Sequence, residues 1–531
     1  MSRRRISFGA SVVLVVSFAF VLVCVDAALA DVKLPAVISD NMVLQQGREV
    51  PIWGWAEPGE QIKVSFGWNK KKWAATADKD GKWIFKINPH RAGGPYKMTV
   101  RGKNNTVKIK NILVGEVWLC SGQSNMEFPV GAKERWKTGV YDFKQEIAAA
   151  DYPNIRLFTV KQVSQEQPQL DCVGSWQLCS PETVGDFSAV AYYFGRELHK
   201  KLGMPIGLIN VSWSGTPAEA WTRREALEAE PELVPILERY EKLVEGYSQA
   251  KAEYQQKLNQ WKEAAEQAKS QGKKLPQKPG SPTKPGSRLS PSGLYNGMIA
   301  PLIRYGICGV IWYQGEANVE RAYQYRKLFP AMIKNWRNDW GQGDFPFLFV
   351  QLANFQAVKS EPSESDWAEL REAQLTTLDL PNTAMAVTID IGEANDIHPK
   401  NKQDVGKRLA LWALGKMYGK KLVYSGPVYK SMTVEGNKIL LHFDHIGGGL
   451  VAGDGEPLKG FAIAGADHKF VWADAKIEGD TVVVSSERVS EPVDVRYGWA
   501  DNPVCNLYNK EGLPASPFRT DDWPGITVDK K

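Results

Sequence analysis

The chain has 531 residues, too many for one compact core, so about two to four domains are expected. Apolar content of 43% and charged content of 24% are ordinary for a soluble globular protein. The formal charge of +6 is small for this length and no dense basic cluster with interleaved aromatics appears, which argues against nucleic acid as a partner.

Residues 1–30 read as a secretory signal. Arg3, Arg4 and Arg5 form a basic start, Val12 to Val25 an apolar stretch too short for a membrane span, and Ala28-Leu29-Ala30 a small–x–small cleavage pattern. Cys24 fits lipoprotein processing poorly, because Val23 stands where a small residue is preferred. The mature chain is therefore expected to be secreted or periplasmic, with no membrane span. Cleavage leaves Cys120, Cys172, Cys179, Cys308 and Cys505. Cys172 and Cys179, close in sequence, are candidates for a loop-closing disulfide after export, whereas Cys120 and Cys308 lie in apolar runs and read as buried thiols. No spacing reads as a zinc site.

Residues 31–110 read as a small β-sandwich, with strands over Val50–Trp55, Gln61–Phe66, Trp83–Ile87 and Tyr96–Val100 separated by Pro-Gly, Asp-Gly and Gly-Gly turns. From Asn111 strands alternate with helices. Ile112–Cys120 is strand-like; helix-like Phe187–Leu202 precedes Ile206–Ser212, and helix-like Tyr295–Tyr305 precedes Cys308–Tyr313. Tyr325–Trp340 precedes Phe345–Leu352, Trp367–Leu378 precedes Thr383–Ile389, and helical Lys402–Tyr418 follows. This alternation predicts an α/β fold with a doubly wound, largely parallel sheet, in two parts over 111–222 and 293–421. Between them, 223–292 is an insertion. Tyr240, Val244, Tyr247, Tyr254, Leu258, Trp261 and Ala265 follow three- and four-residue steps, a coiled-coil-like period that fits a helical arm or one amphipathic surface helix. Gln271 to Ser292, rich in Lys, Pro, Gly and Ser, reads as a flexible linker. Residues 422–531 read as a second β-domain. The 19 tryptophans suit sugar faces, but most are expected to fill cores.

Polar signatures fall at the carboxyl ends of the α/β strands, where open sheets bind ligands. Gly115–Phe128, GEVWLCSGQSNMEF, stops a strand abruptly at Ser121-Gly122-Gln123-Ser124-Asn125, presenting Ser124 as a nucleophile would be presented. Ile206–Ser212 is followed by Trp213-Ser214-Gly215-Thr216, Cys308–Tyr313 by Gln314-Gly315-Glu316-Ala317-Asn318, and Thr383–Ile389 by a loop holding Asp390, Glu393, Asn395, Asp396 and His398. A catalytic serine needs a base and a group to orient it. Of His90, His199, His398, His442, His445 and His468, only His398 lies in a polar loop after an α/β strand, so elimination nominates it. Asp396 is the candidate acid, with Glu393 and Asp390 as rivals. Oxyanion donors are the backbone N–H groups of Ser124 and Gly215 and the side-chain amide of Gln314, with Asn318 as rival. Gln123, Asn125, Glu316, Asn318 and Glu393 are candidates for substrate contact or support.

Taken together, GEVWLCSGQSNMEF, GLINVSWSGTPAEAW, LYNGMIAPL with GVIWYQGEANV, DIHPKNKQDVGKRLALWAL and the tail GWADNPVCNLYNKEGLPASPFRTDDW resemble the sialate O-acetylesterase family within the SGNH (GDSL-like) hydrolases, over roughly Leu34 to Trp523. The resemblance implies an SGNH-like domain flanked by β-domains, and a metal-independent esterase, needing no cofactor, that removes acetyl groups from sugar hydroxyls. It implies Ser124 as nucleophile and His398 as base, with Gly215 and the Gln314 region at the oxyanion. The wider pattern has Asp three residues before the histidine, where Asn395 stands here, so a dyad held by a backbone carbonyl is an alternative to Asp396. It also has Asn in the third block, where Gln314-Gly315-Glu316 stands. Acetylated xylan or another polysaccharide is the alternative substrate, and a non-catalytic carbohydrate-binding protein the alternative class.

Overall fold

The computed structural model describes residues 31–89 and 91–531; the signal-like segment 1–30 and His90 lie outside the described residues. The fold is mixed α/β, with a central mixed sheet and further β-sheet regions. In the amino-terminal region, Val50–Trp55 pairs with Lys82–Ile87, and Gln61–Phe66 with Lys72–Thr76 and Gly93–Arg101. Alternation sets the faces: Ile62, Val64 and Phe66 point inward between exposed or half-exposed neighbours.

The central sheet comprises β1 (Thr106–Gly122), β2 (Tyr152–Thr159), β3 (Trp176–Cys179), β4 (Ile206–Ser212), β5 (Gly309–Tyr313), β6 (Phe347–Val350) and β7 (Thr383–Ala386), in the spatial order β7-β6-β5-β1-β4-β2-β3. All neighbours are parallel except β3, which runs antiparallel to β2. β1 extends seventeen residues and belongs to both regions. Its first half pairs with Gly93–Arg101 and its second half lies between β4 and β5, so one strand crosses the boundary expected at 110/111. A single hydrophobic cluster likewise runs from Val32 to Leu414. The chain builds one side of the sheet through β4 and the other through β5 to β7, so the order reverses at β1, the usual place for a ligand crevice.

The helices used below are α1 (Ser124–Glu127), α2 (Ala189–Leu202), α3 (Val234–Ser270), α4 (Ala322–Trp340), α5 (Asp366–Thr376) and α6 (Lys402–Trp412). α2 starts where the Ser188 hydroxyl accepts from the Ala191 N–H at 3.2 Å and stops at Gly203, whose φ of 68° suits a residue without Cβ. Tyr295–Tyr305 forms only short π and 3₁₀ turns, with Pro301 interrupting a regular helix.

The insertion is a short helical turn, Arg224–Glu228, followed by the long helix α3, of which only Ile236 and Leu237 are buried. The stretch 271–292 is not a free linker. It returns along α3, where Trp261 Nε1 donates to Pro276 O at 2.9 Å, Lys278 lies over the Trp261 ring, and the Gly286 N–H donates to the Tyr240 hydroxyl at 3.1 Å. The aromatic stripe of α3 is what this return segment covers. Cys172 and Cys179 are free thiols, not a disulfide, because the chain between them is extended and carries β3. Cys120 is buried, while Cys308 is half-buried.

Beyond Leu422, Val428–Glu435, Lys438–Asp444, Thr481–Ser485 and Asp474–Glu478 form one antiparallel sheet, and Phe461–Ala464 with Asp494–Tyr497 centres another. Their shared core, including Leu441, Val484, Ile463 and Phe518, is separate from the larger one. No helix among the described residues is long and apolar enough to cross a membrane.

Candidate active site

Strand register assembles the site. On β1, Gly122 stands opposite Ser212 of β4 and Tyr313 of β5, so the three loops that follow leave the sheet at one level. Neighbouring strands lie about 4.8 Å apart, so those loops rise side by side. The turn after β1 requires a glycine: Gly122 has φ 142°, and a Cβ there would collide with the Tyr313 carbonyl. The Gln123 N–H donates to Tyr313 O at 3.0 Å, and Ser124 then opens α1. The N–H groups of Met126 and Glu127 bond Gln123 O, leaving those of Ser124 and Asn125, at the helix start, without a backbone acceptor among the described residues.

The glycine loop is tied to the same turn. The Trp213 N–H donates to Gly122 O at 3.1 Å, and the Ser214 N–H to Glu127 Oε2 at 2.6 Å. Glu127 is itself held by Lys137. Gly215 follows with φ 67°, and its N–H has no protein acceptor among the described residues. In the third loop, Gln123 Oε1 accepts from the N–H groups of Gly315 and Ala317 at 3.4 and 3.2 Å. Gln314 is buried and turned inward. Its Nε2 donates to Asn318 Oδ1 at 2.7 Å and to Thr216 O at 3.3 Å, and its Oε1 accepts from the Tyr325 hydroxyl at 2.9 Å. Asn318 donates to Glu219 Oε2 at 2.8 Å. Both amides therefore brace the loops from behind; both hydrogens of the Gln314 amide are taken, whereas Asn318 Nδ2 donates only to Glu219.

The histidine loop comes from β7, an edge strand three positions from β1, and must cross back over the sheet. It is drawn there because α6, which follows it, packs on α2 beside the sheet centre; Gly406 lets the helices meet, since a Cβ there would lie 2.6 Å from Tyr193 Cβ and 2.8 Å from Phe194 N. The loop is pinned to the serine turn where Asn125 Nδ2 donates to Ile397 O at 3.0 Å, one residue from each candidate catalytic group. Trp136 packs on the His398 ring at 4.5 Å between centroids. The direct bond from Ser124 Oγ to the imidazole is not formed here; such contacts commonly tighten when substrate arrives.

Among the three acids, Asp396 is beside His398: its Oδ1 accepts the His398 N–H at 2.8 Å and lies 3.6 Å from Nδ1. Asp390 is held by both ends of the Arg408 guanidinium at 2.6 and 2.7 Å, and Glu393 accepts from the Lys400 N–H at 2.9 Å. Neither contacts the imidazole.

Lys402, which sequence reasoning did not single out, is fully buried beneath this turn. Its Nζ donates to Asn125 Oδ1 at 2.6 Å and lies over the Phe128 and Tyr313 rings; Asn125 in turn donates to Glu316 Oε1 at 2.5 Å. Burial pulls Lys402 down to about 7 and pushes Glu316 up. Burial and the Lys402 charge pull His398 from 6.5 to about 4, against the opposing pull of Asp396 and Glu127. The imidazole is thus neutral and able to accept a proton through the ordinary pH range. A lysine in the first turn of a polar helix normally points to water, so its pattern carried no warning; Trp136, in an irregular loop, carried none either.

Of the other histidines, His199 lies on α2, His442 on a strand, and His445 and His468 against aromatic rings, away from the serine turn. Among the described residues no group of His, Cys, Asp and Glu side chains is arranged to hold a metal ion.

A family model described as carbohydrate esterase, sialic acid-specific acetylesterase matches residues 284–419. The chain is 30% identical to the human sialate O-acetylesterase over 93% of its own length and 94% of that protein's, and 31% identical to the rat one over 92% and 94%. A crystal structure of a carbohydrate acetylesterase from Xanthomonas citri is 40% identical, covers 93% of this chain and all (100%) of that one, and superposes with a TM-score of 0.78.

Proposed function

The chain belongs to the sialate O-acetylesterase family, and from that premise we propose that Ser124 and His398 hydrolyse acetyl esters on sugar hydroxyls through a serine acetyl-enzyme. It is a carbohydrate O-acetylesterase, a serine-type carboxylic-ester hydrolase. The observation that carries the residue assignment is the common register of Gly122, Ser212 and Tyr313, with the Asn125–Ile397 bond closing the histidine loop over the same point. The parallel strands around β1 read as an SGNH-hydrolase-like doubly wound core, with β-sandwich-like regions at either end of the chain. The basic start, apolar stretch and Ala28-Leu29-Ala30 pattern support export of the enzyme.

His398 takes the proton as Ser124 Oγ attacks the acetyl carbonyl. The oxyanion is held by the N–H groups of Ser124 and Gly215, each such donor contributing about 3–4 kcal/mol of barrier lowering. Gln314 serves as third donor if the oxyanion replaces its longer bond, the 3.3 Å contact to Thr216 O. His398 then protonates the leaving sugar oxygen, and water, activated by the same imidazole, releases acetate. Asp396 orients the ring and steadies its charged form.

Acetate release from an O-acetylated sialic acid and from acetylated xylan, with Ser124→Ala as the blank, tests this. Release by the native protein and a loss of roughly 10⁴-fold or more in the variant is expected. Undiminished esterase activity in Ser124→Ala would falsify the assignment, as would failure of a serine-directed fluorophosphonate to label Ser124.

A further inference from the structure

The loop that follows β6 and the carboxyl-terminal region enclose a cleft away from the serine turn. Two adjoining cavities there, of about 220 and 240 Å³, share Pro362, Gly460, Trp472 and Trp499 as walls. Of the 19 tryptophans, Trp472 is the only exposed one among the described residues, at 41%. It stands on the short edge strand Val471–Trp472, which pairs with Ala462 and Ile463. Its indole N–H donates to Ser360 O at 2.7 Å, which fixes the ring between the two cavities with its polar group already engaged. Val358 and Val504, also exposed, extend the apolar surface on one side, and Phe470 extends it on the other. A large ring held rigidly in water forgoes its burial energy, and a contiguous exposed apolar surface of this kind marks a binding face.

The cations around the cleft are already paired. Arg496, whose guanidinium lies 4.2 Å from the Phe470 ring centroid, donates to Asp521 at 2.8 and 3.0 Å and to Glu364 at 2.7 Å, and Lys459 is held by Asp454 at 2.7 Å. The cleft therefore suits a neutral ligand with apolar faces and a polar rim. Glucose- and xylose-type pyranoses in β linkage have that form, because equatorial hydroxyls leave both ring faces lined with C–H groups that rest on an indole. The cleft is also continuous with the catalytic loops. The Gln356 N–H donates to Ala394 O of the histidine loop at 3.0 Å, and Gln356 O accepts from Asn502, on the cleft wall, at 2.6 Å. β6 is two positions from β1, about 10 Å along the carboxyl edge of the sheet, so one sugar at Ser124 does not reach the cleft but the chain that carries it does. We propose that Trp472 and the cavities beside it bind neutral, β-linked rings of the glycan chain whose acetyl ester is cleaved at Ser124, so that the enzyme takes acetylated chains in preference to free acetylated sugars. This rests on the esterase reading.

The test measures kcat and KM on acetylated xylo-oligosaccharides and on para-nitrophenyl acetate, which carries no chain. Trp472→Ala is expected to raise KM for the oligosaccharides about tenfold with kcat unchanged, the mark of lost remote binding, and to leave the small ester unaffected. Trp472→Phe, which keeps a ring face, should restore most of the affinity, and both variants should keep the native thermal transition. An unchanged KM in Trp472→Ala overturns the proposal. Binding of unacetylated xylopentaose and cellopentaose to Ser124→Ala, measured by calorimetry, separates the two readings. Binding that is lost when Trp472→Ala is added, with no hydrolysis by the native protein, keeps the cleft and sinks the esterase. Hydrolysis with no binding of either pentaose keeps the esterase and sinks the cleft. A native dimer that Trp472→Ala turns into a monomer also overturns the proposal, because the surface then serves a second copy of the chain.

Discussion

At the residue scale, three acids that look equivalent along the chain occupy different environments. Asp390 is closed in by Arg408, so Asp390→Asn should cost about 3 kcal/mol of stability by stranding a buried guanidinium, with little effect on kcat. Asp396→Asn should do the reverse, lowering kcat by roughly 10²-fold or more with an unchanged thermal transition. Thermal unfolding and steady-state kinetics of the pair check both. The pH dependence follows from the burial of His398 and, after it, from the Lys402 charge. With His398 pulled to about 4, the acid limb of kcat/KM should lie near 4 instead of near 6.5. Because the unfolded chain binds that proton near 6.5 and the folded chain only near 4, this group makes the fold less stable as pH falls through that window. Lys402→Met removes the charge that opposes the imidazolium, so the acid limb should move up. A limb unmoved in that variant would mean Lys402 does not act on the base. Ser124 was nominated because four polar loops fall at the strand ends together, since a serine in a lone turn of this kind is commonly just a turn residue. His398 was nominated by elimination. The inward turn of Gln314 was not, since an amide can serve a substrate or a loop equally and only its neighbours decide.

At the scale of elements, the alternation of apolar runs and polar loops located five of the seven strands of the central sheet and missed Tyr152–Thr159 and Trp176–Cys179. Val50–Trp55, Gln61–Phe66 and Ile206–Ser212 match their sequence patterns residue for residue. The return of 271–292 along α3 was hidden, because Lys, Pro, Gly and Ser describe a chain without regular hydrogen bonds whether or not it packs. The coiled-coil-like stripe of α3 expressed a need for cover but could not name what supplies it. The contact of α6 with α2 was equally invisible, although it carries His398 to the serine. Gly406→Ala tests that contact. Helix propensity alone favours alanine by about 1 kcal/mol. Overpacking against Tyr193 and the Phe194 backbone costs about 1–3 kcal/mol, and backbone cannot yield. The variant should therefore lose both stability and kcat, measured by thermal unfolding and turnover together; a gain in stability would mean the two helices separate freely.

At the scale of the whole molecule, the carboxyl-terminal region has its own core and is tied to the α/β region by several side-chain bonds, Gln351 to Ser516 and Glu369 to Thr527 among them, with Arg371 bonding the most backbone carbonyls across the seam. Arg371 of α5 donates to the carbonyls of Leu352 and Ala353 on the sheet side and of Ala500 and Asp501 on the other. Its burial is deep enough to pull the guanidinium down to about 9. Arg371→Met should cost about 3–5 kcal/mol by leaving those carbonyls unpaired, and limited proteolysis should then release the region beyond Leu422 first. Simultaneous loss of all regions would show that Arg371 does not secure this seam. The amino-terminal region has no such seam, since β1 and one hydrophobic core run through it. Periodicity and punctuation, which depend on neighbours a few residues apart, were enough to determine the α/β class, five strands of the central sheet and the serine-bearing turn. Composition and blocks of residues were enough to place the chain in its family. Strand register, the crossing of the histidine loop and the burial of Lys402 join residues far apart in the chain. Their energies come from packing and desolvation between surfaces that exist only once the chain has folded, so the tertiary structure alone decided them.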